Sequence, residues 1–125
     1  MRCRSFQVRA SGLRCGEYNN IVNVPLRAGD GGEMFREALD IAILPRVEDF
    51  SPDLIVISAG FDAHRLDPLA NLNFSEADFG WATRKIMEIA DLRSAGRIVS
   101  VLEGGYALQS LASSAAAHVT ALMDS

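Results

Sequence analysis

The feature that most constrains this chain is the stretch Asp53-Leu54-Ile55-Val56-Ile57-Ser58-Ala59-Gly60, whose centre is apolar without alternation. A strand wet on one face alternates apolar with polar residues. A strand covered on both faces reads as a continuous apolar run, the habit of parallel sheets. A second such run, Arg97-Ile98-Val99-Ser100-Val101-Leu102, is stopped by Gly104-Gly105. Parallel strands need a crossover, and the intervening sequence supplies one. Ser75 is followed three residues on by Asp78 in a capping-box arrangement. Phe79, Ala82, Thr83, Ile86, Met87 and Ala90 then recur at helical spacing before Gly96.

The flanking segments continue the pattern. Ile21-Val22-Asn23-Val24-Pro25-Leu26 predicts a short strand, and Ala28-Gly29-Asp30-Gly31-Gly32 a turn. Residues 33–49 predict a helix through Met34, Phe35, Ala38, Leu39, Ala42 and Ile43, which Pro45 should kink or end. A last helix is expected from Ala107 to Met123, with Leu108, Leu111, Ala112, Ala115, Val119 and Leu122 facing inward. The order β-α-β-α-β-α predicts an α/β fold, a parallel sheet with flanking helices joined by right-handed crossovers.

Composition narrows the function. At 125 residues and 49% apolar, the chain suits one hydrophobic core. No run approaches the ~20 apolar residues of a membrane span, and no apolar region follows Arg2 and Arg4 as in a secretory signal. A net charge of −4 without a basic stripe argues against direct nucleic-acid binding. Two cysteines, Cys3 and Cys15, make neither a disulfide framework nor a zinc-finger spacing, so a reduced cytoplasmic setting is expected. The charge is uneven: residues 1–20 hold four arginines and one acid, and the rest hold eight basic and fifteen acidic side chains.

In open α/β sheets, ligands bind beyond the carboxyl ends of the strands. Two unusual loops fall there: Gly60-Phe61-Asp62-Ala63-His64-Arg65-Leu66-Asp67-Pro68, and Glu103-Gly104-Gly105-Tyr106. If the strands are parallel, Asp62 and Tyr106 share one edge. Asp62 there can accept hydrogen bonds, cap a helix or bind a metal. Tyr106 is either a packed aromatic lid or a hydrogen-bond donor to a developing oxyanion. His64 and His118 each suit a hydrogen-bonded or packed role better than a ligand role, and Asp67-Pro68 reads as turn chemistry with pocket shaping second.

Ile57-Ser58-Ala59-Gly60-Phe61-Asp62-Ala63-His64, Asp67-Pro68-Leu69 and Val101-Leu102-Glu103-Gly104-Gly105-Tyr106 together resemble the C-terminal part of the zinc-dependent histone deacetylase family. The likeness is nearest to class II-like members, among them acetylpolyamine amidohydrolases, and also takes in Asn23-Val24-Pro25-Leu26. It implies the C-terminal part of an arginase/deacetylase-like fold and hydrolysis of acetyl-lysine or acetylpolyamine amides. It implies that Asp62 is a ligand of the catalytic Zn2+ and that Tyr106 is the oxyanion donor. Gly104 and Gly105 become backbone that admits the acyl group, and Leu69 a wall of the substrate tunnel.

The same resemblance exposes departures. The family's Asp-x-His ligand motif and paired catalytic histidines have no counterpart, since only His64 and His118 occur. The family's potassium ligands are mostly absent too. Residues 1–16 depart from the pattern and are expected not to be native to the fold, leaving 17–125 as the deacetylase-like part. The chain is therefore expected to be an incomplete, inactive fragment that associates through an exposed sheet edge. The alternative is a non-catalytic α/β module that binds a small molecule or a partner, with an anion at Gly29–Gly32 before the following helix.

Overall fold

The computed structural model describes residues 7–9 and 17–124. Strands β1 (Gln7–Arg9) and β2 (Ile21–Asn23) pair in parallel. Helix α1 (Gly32–Ala38) runs into a π-helical turn, Leu39–Ile43, and then into α2 (Leu44–Phe50). Strand β3 (Ile55–Gly60) leads to α3 (Glu76–Arg93), β4 (Ile98–Gly104) and α4 (Leu108–Met123). β3 and β4 are parallel, from Ile55 opposite Ile98 to Ala59 opposite Leu102, with an irregularity before Gly60 meets Gly104. The α/β class with a parallel sheet and flanking helices is as expected from the alternation.

Four details differ from expectation. Pro45 does not end the helix. It lies in the first turn of α2, directly after the wider π turn Leu39–Ile43, so the expected disturbance takes the form of a local irregularity in a helix that continues. The chain stays helical to Phe50 and leaves at Ser51 with φ +53°. Next, the described strands form two separate two-stranded sheets, so β2 is bonded to β1 and not to β3. Third, β3 and β4 are covered on one face only: Val56 is 62% and Val101 52% exposed. The uninterrupted apolar pattern thus records two apolar faces, one of which the described residues leave open.

The fourth difference is the inner face of α4, which carries Ser110, Ser114, His118 and Ala121, whereas Leu108 is 81% exposed and Val119 half-exposed. Small residues let α4 approach α3 closely. A Cβ on Gly80 would stand 3.6 Å from the Ala117 carbonyl oxygen. In that narrow gap a histidine with fixed partners decides the helix rotation. Thr83 Oγ1 donates to the Phe79 carbonyl at 2.7 Å, so it receives the proton of His118 Nδ1, also at 2.7 Å. His118 Nε2 is left to accept from Ser100 Oγ at 2.8 Å. The neutral ring therefore ties α4 to both α3 and β4.

Burial pushes the His118 pKa down from its ordinary value. The unfolded chain thus takes up a proton first as pH falls below about 6.5, and stability drops until the folded-state pKa is passed. Urea denaturation at successive pH values should show this loss in the native chain above the carboxylate range. The His118→Gln variant should be less stable at neutral pH and should lack that part of the slope.

The core lies where the β3–β4 sheet meets α3: Ala59, Phe61, Phe74 and Phe79 are buried, with Phe35, Ile57 and Leu111 packed against them. Phe35 stacks on Phe74 at 4.4 Å between centroids, and Phe61 meets Phe79 edge-on at 5.1 Å. Asp78 caps α3 by accepting from Ser75 N at 2.9 Å, while its other oxygen takes Arg36 Nε of α1 at 2.9 Å. The predicted capping box is present.

Candidate active site

Because β3 and β4 run parallel, their following loops leave from the same edge, and they are joined there: Phe61 N donates to the Gly104 carbonyl at 2.9 Å. Asp62 turns its carboxylate against the glycines of both strands. A Cβ on Gly104 would stand 2.9 Å from Asp62 Oδ1, and one on Gly60 3.1 Å from it. The glycines thus make a cradle that any side chain would fill. Gly105 is needed for a second reason, since it holds φ +132° with Leu111 Cδ1 2.8 Å from where its Cβ would be.

The half-buried Asp62 carboxylate has no hydrogen bond or ion pair among the described residues. A partly desolvated anion without a partner is costly unless a cation meets it. Its oxygens suit a divalent metal as donors. A catalytic zinc, however, takes three protein ligands, and among the described residues no group of three metal-ligating side chains comes together. Asp62 fits as one ligand, and the described residues do not complete the set.

His64 does not add a second. It is 2% exposed, and both ring nitrogens are engaged. Nδ1 accepts from Leu66 N at 3.1 Å, so Nε2 carries the proton and donates to Glu76 Oε2 at 2.9 Å. That hydrogen bond from His64 is the first reason the Glu76 carboxyl sits below its ordinary pKa. The ring staples the loop after β3 to the start of α3. Cys3 and Cys15 lie outside the described residues, as does the 1–16 segment apart from β1.

The residue that sequence reasoning underrated is Asp67. Its Oδ2 accepts from Tyr106 N at 2.7 Å and Ala107 N at 3.2 Å, and Oδ1 from Leu69 N at 3.1 Å. The Tyr106 amide, and after it those of Leu69 and Ala107, hold this carboxyl below its ordinary pKa against the opposing cost of burial. Asp67-Pro68 signals a turn locally, but nothing in the sequence marks a partner 39 residues away. Tyr106 is 60% exposed at the rim, and Leu69 is exposed on the neighbouring turn.

At its helix end the Gly29–Gly32 turn leaves no room for an anion against Gly32. The space against Gly32 is taken by the chain's own Asp78 carboxylate, with which a Cβ on Gly32 would collide. Two cavities, one of about 250 Å³ beside Asp40 and Lys85 and one of about 290 Å³ beside Met87 and Ser100, lie away from Asp62 and Tyr106.

A carboxylate and a phenol-bearing loop on the carboxyl edge of parallel strands define an α/β protein of the kind that binds its ligand at that edge. Comparison with known proteins makes this specific. A sequence profile of the histone deacetylase domain matches residues 7–122. The chain is 47% identical over 95 residues to histone deacetylase 10, chloroplastic, of Oryza sativa subsp. japonica, covering 76% of this chain and 21% of that protein. It is 40% identical over 85 residues to the histone deacetylase-like amidohydrolase of Pseudomonas aeruginosa, covering 68% of this chain and 22% of the relative. The solved HDA15 HD domain superposes with a TM-score of 0.77 at 36% identity, over 83% of this chain and 29% of that one.

The chain belongs to the histone deacetylase family. It spans only part of the length of its relatives, 21% of the rice protein and 31% of a Synechocystis protein.

Proposed function

We propose that this chain carries the carboxyl-edge part of a deacetylase site acting on acetyl-lysine or acetylpolyamine amides. The observation that carries the reading is the Asp62 carboxylate, unpaired among the described residues and held in the Gly60–Gly104 cradle, on the edge from which Tyr106 projects. In this reading Asp62 is one ligand of a catalytic zinc, and a zinc bound there polarises the amide carbonyl and lowers the pKa of its water. Tyr106 donates its phenol proton in a hydrogen bond to the carbonyl oxygen as negative charge develops on it. Gly104 and Gly105 leave the acyl group room, and Leu69 forms part of the wall along which the substrate's aliphatic stem lies.

The described residues give one metal ligand and one oxyanion donor, which is too few for turnover. The exposed Val56 and Val101 on the open sheet face support the same conclusion, since a covered β3–β4 layer would bury them. The isolated chain should therefore release no acetate from an acetyl-lysine peptide and bind zinc weakly at best. Chelator-sensitive acetate release by the pure chain would overturn the incomplete-site reading. The alternative small-molecule module loses support because the Gly32 position is already filled by Asp78.

A further inference from the structure

Tyr106 follows two glycines, and its phenol makes no hydrogen bond among the described residues. Glycine-rich backbone samples many conformations, so a side chain carried on it is poorly placed unless its own backbone is anchored. The anchors lie on the other loop. Asp67 receives the amides of both Tyr106 and Ala107 on one oxygen. Its second oxygen is tied to Leu69 N, which fixes the carboxylate plane. Asp67 is 5% exposed, and its own amide donates to the His64 carbonyl at 2.9 Å. His64 is in turn buried and bonded to Glu76, so the support behind Asp67 is stiff.

These two amides stand at the start of α4, where the N-cap residue is Ala107 and makes no side-chain cap. Asp67 does not take the N2 or N3 amide that a cap would satisfy; it holds the two residues that lead into the helix, with its negative charge near the helix's positive end. A cap of α4 alone would require nothing of Tyr106. Yet the shorter of the two bonds, 2.7 Å against 3.2 Å, goes to the Tyr106 amide.

We propose that Asp67 is the positioning residue of Tyr106: it locks the Tyr106–Ala107 backbone and thereby sets where the phenol stands at the rim. The consequence for catalysis rests on the oxyanion-donor reading of Tyr106, because a donor accelerates the reaction only when it is already in place. The positioning itself does not depend on that reading and is tested in the chain alone.

The chain has only two tyrosines, Tyr18 and Tyr106, so incorporation of 3-fluorotyrosine gives two fluorine resonances, assigned with Tyr18→Phe. Asp67→Ala should move the Tyr106 resonance toward the free amino-acid shift and leave that of Tyr18 in place. Asp67→Asn, which keeps an acceptor oxygen of the same reach, should restore much of the native shift. Amide exchange at Tyr106 should quicken about tenfold to a hundredfold in Asp67→Ala, as for loss of a hydrogen bond to a charged group.

If exchange quickens while the Tyr106 fluorine signal stays native, Asp67 only fixes the backbone leading into α4 and the proposal fails. Should Asp67→Ala not fold, the native chain decides: a Tyr106 amide exchanging at the unprotected rate overturns the proposal, and a protected one upholds the lock. Failure of the deacetylase reading would look different: a chimera with this chain's segment placed in the Pseudomonas amidohydrolase would be active and indifferent to Tyr106→Phe, while the fluorine response to Asp67→Ala persists.

Discussion

Replacing Tyr106 by Phe should lower kcat about 10²–10³-fold in a chimera in which residues 7–122, matched by the histone deacetylase domain profile, replace the corresponding segment of the Pseudomonas amidohydrolase. That corresponds to about 2.7–4 kcal/mol, the usual loss for one oxyanion donor. Phenylalanine keeps the ring and its contacts and removes only the O–H. The loss should thus fall on kcat, because the hydrogen bond strengthens as charge builds on the carbonyl oxygen, with KM for an acetyl-lysine peptide much less changed. Steady-state acetate release measures both. An unchanged kcat would remove Tyr106 from the chemistry and return it to the role of an aromatic lid.

Phe74→Ala should destabilise the chain by about 3–5 kcal/mol, the range for truncating a large buried ring. Phe74 is 4% exposed, stacks on Phe35 and lies 6.0 Å between centroids from Phe79. Its backbone also closes the loop after β3: Phe74 N donates to the Ala63 carbonyl at 3.1 Å, and Arg65 N to the Phe74 carbonyl at 2.9 Å. Loss of the ring therefore loosens the turn that holds His64 and Asp67 as well as the core. Small domains are stable by only about 5–15 kcal/mol, and an open apolar sheet face should put this chain low in that range. Urea unfolding followed through Trp81, the single tryptophan, should show a largely unfolded variant. A loss below about 1 kcal/mol would mean that the aromatic cluster is not the core.

Both predictions use residues whose signals differ in kind. Tyr106 was legible because Gly-Gly-Tyr interrupts an apolar run, and Asp62 because it follows another. The parallel pairing of those runs puts the two loops on one edge, as the alternation of strands and helices required. Asp67 was not legible as more than a turn residue, and His118 not as more than a packed one. Each takes its meaning from partners 18 to 40 residues away in the chain.

By itself, the amino-acid order determined the element sequence from β2 onward, the parallel sense of β3 and β4, the capping of α3 and the two rim loops, whereas β1 at Gln7–Arg9 had no periodicity to mark it. These follow from periodicity, punctuating glycines and short-range hydrogen bonding, all of which act within a few residues. Only the tertiary structure decided that α4 turns Ser110, Ser114 and His118 inward, that the helix runs on through Pro45 behind a π turn, and that the described residues leave one sheet face open. Helix rotation and face coverage are set by which surfaces meet across the fold, and an apolar side chain reads the same in the sequence whether or not another layer covers it.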